Sequence, residues 1–274
     1  MTERAQGRVG STVAPDSVRA KVAIITGASS GIGKATALVL AGQGYDLALA
    51  GRNLAALEEV GRAIIERGRQ TLVVPTDVTD REQVQRLVDQ TLARWGRVDV
   101  LVASAGIYVR GPFTSLTPAE FERSLATNFY GALYAVQAVL PAMLSQHEGH
   151  IVLVSSMDGK KGLVLDAPYV AAKFALAGVG EVLRQELHGT GVFVTTVFPA
   201  RVDTPMIADL RVPALSAKVS PEVVARAIAR GIQRRQPEVI VPFRARLLWY
   251  VNTLSPRLGD WVARKLRLEG RYDH

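Results

Sequence analysis

Short, wholly apolar runs recur along this chain, and segments with apolar residues at helical spacing lie between them. Such runs are typical of parallel strands covered on both faces, because a strand open to water on one side alternates apolar with polar residues. A strand–helix–strand order with right-handed crossovers places helices on both faces of one sheet. We therefore predict an α/β fold with a doubly wound, seven-stranded parallel sheet. The predicted strands are Val22–Thr26, Leu47–Ala50, Thr71–Pro75, Val98–Ala103, Ile151–Val154, Val192–Phe198 and Val239–Val241.

Helix-start signals support this alternation. Asn53 and Asp80 each precede a helical pattern and can cap it. The segment 117–120, Thr-Pro-Ala-Glu, combines a cap, a proline at the first helical position and an acid three residues after the cap. We predict one long helix from there to about Met143, and a helix from Tyr169 to His188.

The chain shows no linker that would divide it, so we expect one Rossmann-type domain over residues 21–241. Residues 1–20 mix Gly, Ser, Thr, Arg and Pro and are expected to form a flexible tail. Residues 242–274 are basic and amphipathic. We expect this extension to pack on the domain or on a partner subunit.

The composition limits the available chemistry. The 274 residues are 48% hydrophobic and include no cysteine, so a core forms without disulfides and Cys-ligated metals are excluded. The histidines show no spacing typical of a metal cage, and we predict no metal. The four histidines are His147, His150, His188 and His274. Of these, we expect His147 and His150 to lie in a polar turn.

The formal net charge is +8, which favours acidic partners or a basic solvated surface. No nucleic-acid reading motif accompanies the charge, so no nucleic-acid partner is expected. The chain has no apolar run of about eighteen residues and no secretory h-region at its N-terminus. We expect a cytoplasmic protein.

A glycine-rich turn follows the first predicted strand, with the sequence Thr26-Gly27-Ala28-Ser29-Ser30-Gly31-Ile32-Gly33. Such a turn brings backbone N–H groups and a helix N-terminus to a pyrophosphate, although glycine-rich turns also follow strands for packing reasons alone. Side chains at Gly27, Gly31 and Gly33 would clash with that arrangement. The turn predicts a dinucleotide site and a Rossmann-like sheet.

The end of the second strand bears on which dinucleotide binds. An NAD site usually carries an acid there that binds the ribose 2′-hydroxyl. This strand ends Ala50-Gly51-Arg52-Asn53 without an acid, and Arg52 can pair with a 2′-phosphate, with hydroxyls from Ser29 and Ser30 as further donors. The alternative is a solvated arginine at a helix start. We predict NADP(H), with NAD less favoured.

A second group of residues points to proton transfer. Tyr169 and Lys173 are one helical turn apart at the start of a predicted helix, and Ser156 closes the preceding strand, thirteen residues before the tyrosine. Reduction of a ketone needs a hydride on carbon and a proton on oxygen. The Lys173 ammonium is expected to lower the pKa of the Tyr169 phenol and make it a usable acid or base. Ser156 would orient the carbonyl oxygen.

As an ordered set over about residues 20–205, these motifs resemble the short-chain dehydrogenase/reductase family. The resemblance implies an oxidoreductase acting on CH–OH groups with NAD(P). It also implies that Asn128 completes a tetrad with Ser156, Tyr169 and Lys173 by holding a water that links the lysine to solvent. Lys173 would also hold the nicotinamide ribose.

The resemblance further assigns cofactor contacts outside the glycine turn. Asp77 and Val78 match the pair that holds adenine, and Thr204 matches the threonine that binds the nicotinamide carboxamide. The strand-four end reads Ala103-Ser104-Ala105-Gly106 where the family has two asparagines, so we expect local compensation. The implied contacts are Gly27, Ser29, Ser30, Gly31, Ile32, Gly33, Arg52, Asp77, Val78, Ala105, Gly106, Tyr169, Lys173, Pro199, Val202 and Thr204.

The predicted substrate is a small carbonyl compound or alcohol, and an apolar pocket wall favours a hydrophobic one. The expected lining residues are Tyr108, Met157, Leu163, Val164, Met206, Ile207, Leu210, Val212 and Leu215. One alternative is a 3-oxoacyl-carrier-protein reductase, and another is a lipid- or steroid-type carbonyl reductase docked on a membrane surface, which we favour less. A third is a scaffold that only binds. The family resemblance also implies a homo-oligomer, a dimer or a tetramer.

Overall fold

The computed structural model describes residues 20–212 and 217–272. The strands are β1 (Val22–Thr26), β2 (Asp46–Gly51), β3 (Thr71–Pro75), β4 (Val100–Ala103), β5 (Gly149–Val154), β6 (Val192–Pro199), β7 (Leu210–Arg211), β8 (Glu238–Val241) and β9 (Arg271–Tyr272). The helices are α1 (Gly31–Gly42), α2 (Leu54–Ile65), α3 (Arg81–Trp95), α4 (Pro118–Leu125), α5 (Gly131–Gln146), α6 (Ala167–Glu186), α7 (Pro221–Gln233), α8 (Ala245–Leu254) and α9 (Pro256–Leu266). Of the tail predicted over residues 1–20 only Ala20 is described, and the predicted lining residue Leu215 lies outside the described residues.

The main sheet has seven strands in the order β3-β2-β1-β4-β5-β6-β8, and all neighbouring strands are parallel. Apolar side chains cover both faces, one cluster against α1, α2 and α7 and the other against α3, α5 and α6. The predicted doubly wound α/β fold is therefore confirmed. The strand order reverses between β1 and β4, where open sheets of this kind bind their ligands.

Local signals set the helix starts as predicted. The Asn53 side chain accepts a hydrogen bond from the backbone of Ala56, and the Asp80 carboxylate accepts from Glu82 and Gln83. Thr117 begins α4, and the Glu120 carboxylate accepts from its backbone N–H at 2.8 Å.

The predicted long helix after Thr117 is interrupted. Between α4 and α5, residues Ala126–Tyr130 form a π-helical turn that contains Asn128. Single π turns inside helices occur often at functional sites, because the wider turn reorients side chains. The apolar pattern predicted one continuous helix and did not indicate this turn.

His150 does not lie in the polar turn predicted for it. It occupies β5, is 5% exposed, and its Nε2 lies 2.7 Å from the Thr195 hydroxyl. Burial lowers the pKa of His150 to about 4. His147 instead ends α5 in the left-handed conformation.

The C-terminal extension consists of two helices and a short strand. Trp249 of α8 packs against a cluster that includes Phe198 and Ile240, and β9 pairs antiparallel with β7. Ser255 separates α8 from α9 and caps the second helix. Over the described ranges, we find no helix with the length and apolarity needed to span a bilayer.

Candidate active site

One cavity of about 660 Å³ lies at the carboxyl ends of the strands where the sheet order reverses. This volume lies within the range of small-molecule and cofactor sites. It extends from the turn after β1 and the end of β2 to the loop after β6. Every predicted catalytic and cofactor-binding residue lines it: Gly27, Ser29, Ser30, Gly31, Ile32, Gly33, Arg52, Asp77, Val78, Ala105, Gly106, Asn128, Ser156, Tyr169, Lys173, Pro199, Val202 and Thr204.

The glycine turn leaves no space for side chains at three positions, and a Cβ on Gly27 would lie 2.8 Å from Ala105 Cα. A Cβ on Gly33 would lie 2.2 Å from the Gly27 carbonyl oxygen, and one on Gly31 would lie 2.9 Å from Thr204 Cγ2. Gly27 and Gly31 also have positive φ angles of 69° and 52°. Ser30 begins α1 without a side-chain cap, and no acid occupies the first turn. The positive end of this helix is therefore free of competing carboxylates, which fits a pyrophosphate.

The end of β2 contributes an exposed arginine to the same cavity. Arg52 follows Gly51 directly, and a Cβ on Gly51 would lie 3.5 Å from the Ser29 hydroxyl. Of the described lining residues, the acidic ones are Asp77 and Asp158. The Asp77 carboxylate accepts from both the backbone N–H and the hydroxyl of Thr79. Arg52 therefore places a guanidinium with a formal positive charge at this end of the cavity.

Local hydrogen bonds hold the loop after β4, where the amide side chains expected from the resemblance are missing. The Thr26 hydroxyl accepts from the backbone N–H groups of Ser104 at 3.1 Å and Ala105 at 3.3 Å. A Cβ on Gly106 would lie 2.7 Å from the Asn128 side-chain oxygen. The loop therefore packs closely against the π turn.

Asn128 is 1% exposed, and its side chain connects that loop to α4. Its oxygen accepts from the Ile107 N–H at 3.1 Å, and its amide nitrogen donates to the Ile107 carbonyl at 3.0 Å. The same nitrogen also lies within hydrogen-bond distance of the Ser124 carbonyl. These contacts orient the loop beside Lys173. The water relay assigned to Asn128 stays a prediction.

The proton-transfer residues lie together at the start of α6. Lys173 is 4% exposed, its Nζ donates to the Val154 carbonyl at 2.9 Å and lies 5.5 Å from the Tyr169 ring centroid. Burial lowers the pKa of Lys173 to about 8. The pKa of Tyr169 is raised, chiefly by burial and then by the charge of Asp158, while a hydrogen bond with Ser156 opposes the rise.

The direction of the Tyr169 shift is opposite to the one expected from the sequence. Burial of the phenolate and the charge of Asp158 outweigh the Ser156 hydrogen bond and the charge of Arg201, so the phenol stays neutral at pH 7. A neutral phenol is a proton donor. The sequence reasoning counted the Lys173 charge and could not count the burial.

Asp158 is a site residue that sequence reasoning missed. It is 6% exposed, and the Ser156 hydroxyl donates to its carboxylate at 3.1 Å while accepting from its backbone N–H. Burial raises the pKa of Asp158 to about 6, against the opposing charge of Arg201. A hydroxyl has one proton, so an ionised Asp158 competes with a substrate oxygen for the proton of Ser156. Its position two residues after the serine was the available signal.

A buried ionic cluster, also missed, adjoins Tyr169. Asp166 is fully buried, accepts from the Tyr108 hydroxyl at 2.7 Å, and forms ion pairs with Arg110 and Arg201. Arg201 donates to the Tyr108 hydroxyl, and the Tyr108 ring packs edge-on to the Tyr169 ring at a centroid distance of 5.0 Å. The cluster therefore positions a ring that touches the candidate acid.

The same cluster holds the C-terminal extension at the cavity. The Arg201 guanidinium lies within hydrogen-bond distance of the carbonyls of Leu268 and Glu269, and Arg110 donates to the Glu269 carbonyl at 3.1 Å. Arg201 itself lines the cavity. The charge of Asp158 is the main factor that raises the pKa of Arg201 against its burial, so the guanidinium stays charged.

The pocket wall is more polar than predicted. Tyr108, Met206 and Ile207 line the cavity, together with the charged Asp158 and Arg201. The other apolar candidates within the described ranges do not line it. Of these, Met157 packs on the Phe198 cluster, Val164 is exposed and Leu210 is buried in β7; the remaining two are Leu163 and Val212. Three or more potential metal ligands do not cluster anywhere in residues 20–212 and 217–272.

Comparison with known proteins places the chain in a family. The model of the short chain dehydrogenase family matches residues 21–213. An uncharacterized oxidoreductase of Listeria monocytogenes, Lmo0432, is 40% identical over 192 residues, which are 69% of this chain and 77% of that protein. The ketoacyl reductase HetN of Nostoc sp. is 33% identical over 253 residues, which are 89% of this chain and 88% of that protein.

A solved structure agrees with this assignment. The chain is similar to an actinorhodin polyketide ketoreductase solved with NADPH, with a TM-score of 0.75 and 29% identity over 81% of this chain and 95% of that one. The chain therefore belongs to the short-chain dehydrogenase family. It is an oxidoreductase that acts on alcohol or carbonyl groups with a nicotinamide cofactor.

Proposed function

We propose that this short-chain dehydrogenase is an NADP(H)-dependent enzyme that transfers a hydride between nicotinamide and a carbonyl compound or secondary alcohol. The observation that carries the proposal is that Ser156, Tyr169 and Lys173 line the same cavity as the glycine turn and Arg52. When bound, the nicotinamide supplies or accepts the hydride. The residues of this chain bind the dinucleotide, orient the substrate oxygen and move the proton.

In reduction, the neutral Tyr169 phenol would donate its proton to the substrate oxygen as the carbon gains the hydride. With a pKa of about 8, Lys173 is mainly cationic at pH 7, and its charge would stabilise the phenolate that forms. Ser156 would orient the oxygen by donating a hydrogen bond from its hydroxyl to it. We further propose that Asn128 holds a water through which Lys173 exchanges protons with solvent. In oxidation, the same groups would act in reverse.

The cofactor contacts follow the cavity from end to end. Arg52 and Ser29 would hold the 2′-phosphate, the glycine turn the pyrophosphate, and Asp77 with Val78 the adenine. Lys173 would contact the nicotinamide ribose. Thr204, which packs against Gly31, would contact the carboxamide, with Pro199 and Val202 beside it.

The preference for NADP(H) rests on Arg52 and has a direct test. We expect Arg52→Ala to lower kcat/KM with NADPH at least about tenfold and to leave kcat/KM with NADH nearly unchanged, because only NADPH has the 2′-phosphate. Arg62→Ala, an exposed arginine on α2 outside the cavity, is the matched control and should change neither. A wild-type preference for NADH would overturn the assignment.

The assignment of Tyr169 is tested by Tyr169→Phe on a panel of carbonyl compounds. We expect at least about a hundredfold loss of kcat with dinucleotide binding retained, because only the proton donor is removed. Full turnover by the variant would support the alternative of a scaffold that only binds.

A second candidate is a 3-oxoacyl-carrier-protein reductase. It is favoured by the similarity to the ketoacyl reductase HetN and by the net charge of +8, which suits an acidic carrier. If it is correct, kcat/KM on carrier-bound substrates should exceed that on free ketones and should fall steeply with salt. Equal values and no salt dependence favour a small hydrophobic carbonyl compound.

We also propose a homo-oligomer formed through α5 and α6. Tyr130, immediately before α5, and Phe174 and Val182, on α6, are large side chains exposed in the single chain. Exposed apolar groups on two long helices favour burial against a second copy. Light scattering coupled to size exclusion should give a dimer or tetramer mass.

A further inference from the structure

The C-terminal extension presents an apolar and basic outer surface. Large apolar side chains project from α8, from α9 and from Phe243, which lies two residues before α8, and basic side chains flank them. We call this surface the extension face. Its apolar residues are Phe243, Leu247, Tyr250, Leu254, Leu258 and Trp261, and its basic residues are Arg244, Arg257, Arg264 and Lys265, all of them exposed.

The spacing of these residues is helical. Leu247, Tyr250 and Leu254 follow one another at three and four residues along α8, and Leu258 and Trp261 are three apart on α9. Each set therefore lies on one side of its helix. Leu254 is 87% exposed and Trp261 55% exposed, so the packing of the chain on itself does not account for them.

The opposite side of the extension is already packed. Trp249 lies on the Phe198 cluster, the Lys160 ammonium lies 4.5 Å from its ring centroid, and Lys161 forms an ion pair with Asp260. A Cβ on Gly259 would lie 2.6 Å from the Asn252 side-chain oxygen, so α8 and α9 are in close contact. The extension face is thus the outer side of a segment whose inner side packs on the domain.

The charge of the segment indicates what covers the extension face. Residues 242–272 include seven basic residues and only two acidic ones, and one of the acidic residues, Asp260, already forms an ion pair with Lys161. Two copies of such a surface would repel each other. An anionic lipid surface attracts the basic residues, accepts the leucines into its acyl boundary and suits Tyr250 and Trp261 at the headgroup level.

We propose that the extension face docks this protein on the surface of an anionic lipid bilayer. The C-terminal extension continues to residues 268 and 269, whose carbonyls accept hydrogen bonds from Arg201 at the cavity. Docking therefore couples the substrate end of the cavity to the membrane surface and favours a carbonyl compound or alcohol that partitions into lipid. This consequence for the substrate rests on the proposed function, whereas the docking itself does not.

Vesicle flotation of the full chain tests the docking. We expect the protein to float with vesicles of phosphatidylcholine containing about 30% phosphatidylglycerol, and far less with phosphatidylcholine alone. Raising the salt to about 0.5 M should weaken the binding, because the Debye length shortens. Absence of binding to the anionic vesicles overturns the proposal.

Two substitutions and a matched control locate the contact. We expect Leu254→Glu and Lys265→Glu each to lower the vesicle partition coefficient at least about tenfold, through lost apolar burial and lost charge attraction. Ile65→Glu changes another exposed apolar residue, 59% exposed on α2, and should bind as the wild type does. Equal binding by all three variants, or a dimer that Leu254→Glu dissociates, overturns the proposal.

Turnover separates this proposal from the proposed function. Leu254 is largely exposed to solvent and does not line the cavity. Leu254→Glu should therefore keep the wild-type melting temperature and the wild-type kcat on a water-soluble ketone. Loss of vesicle binding with turnover retained supports docking. Vesicle binding without any turnover with NADPH or NADH supports docking and contradicts the proposed function instead.

Discussion

Arg201 lies between two buried carboxylates, and replacing it with glutamine tests whether this charge cluster holds the site together. It forms an ion pair with the fully buried Asp166, and its charge opposes the rise that burial causes in the pKa of Asp158. Its removal leaves both carboxylates with less compensation, a change that typically costs about 3–5 kcal/mol. Because Arg110 still pairs with Asp166, we expect the lower end, about 3 kcal/mol.

This figure converts into a melting shift. For 274 residues, an unfolding entropy of about 0.6 kcal/mol/K turns about 3 kcal/mol into a fall of about 5 °C in the melting temperature. The loss should depend on pH. Arg201 lowers the pKa of Asp158 and Asp166, so removing it raises both, and protonation relieves the repulsion in acid.

Thermal unfolding followed by circular dichroism at pH 7.5 and pH 5 measures both effects. We expect Arg201→Gln to melt about 5 °C below the wild type at pH 7.5 and nearer to it at pH 5. Arg62→Gln, an exposed arginine on α2, is the control and should melt as the wild type does. A shift below about 1 °C, or an equal shift at both pH values, would refute the electrostatic reasoning.

Three further outcomes are expected. We expect wild-type kcat/KM for reduction to fall as the pH rises through about 6, because the ionised Asp158 carboxylate then accepts the hydrogen bond that Ser156 would otherwise donate to the substrate oxygen. Asp158→Asn should remove this fall, and an unchanged steady-state pH profile contradicts the expectation. The native pKa of His150 lies below its ordinary value, so its stabilisation is complete above pH 6.5 and is lost as the pH falls to about 4. In urea titrations, His150→Gln should remove up to about 3 kcal/mol of the fall in the free energy of unfolding between pH 6.5 and pH 4. An unchanged dependence of that free energy on pH argues against this role of His150. Gly33→Ala places a Cβ 2.2 Å from a backbone oxygen and should weaken NADPH binding in calorimetry at least about tenfold, whereas Gly42→Ala on the same helix, with open space around it, should not.

Local patterns predicted the sheet and the positions of the candidate residues. The strands were identifiable because covered parallel strands need continuous apolar runs, and Asn53 and Asp80 marked helix starts because they satisfy free N–H groups at adjacent positions. The glycine turn and the Tyr169–Lys173 spacing are likewise contained in a few consecutive residues. Because these signals are short-range, the sequence alone located them.

The charge states and the pocket wall depended on tertiary structure. Asp158 and Asp166 lie in the connection between β5 and α6, whereas Arg201 follows β6, and only the folded sheet brings the three charges together. The raised pKa of Tyr169 depends on burial, which exists only once the surrounding elements pack. His150 is polar and was therefore expected in a turn, yet the pairing of β5 with its neighbours buries it.

The same division holds for the C-terminal extension. Its sequence determined that it would be amphipathic and basic, since residue type and helical period suffice for that. Only the folded structure decided which side packs, because Trp249 finds its apolar partners on β6 and β8 of the completed sheet. Local chemistry fixes what each segment offers, and long-range packing fixes which groups lose water and which charges meet.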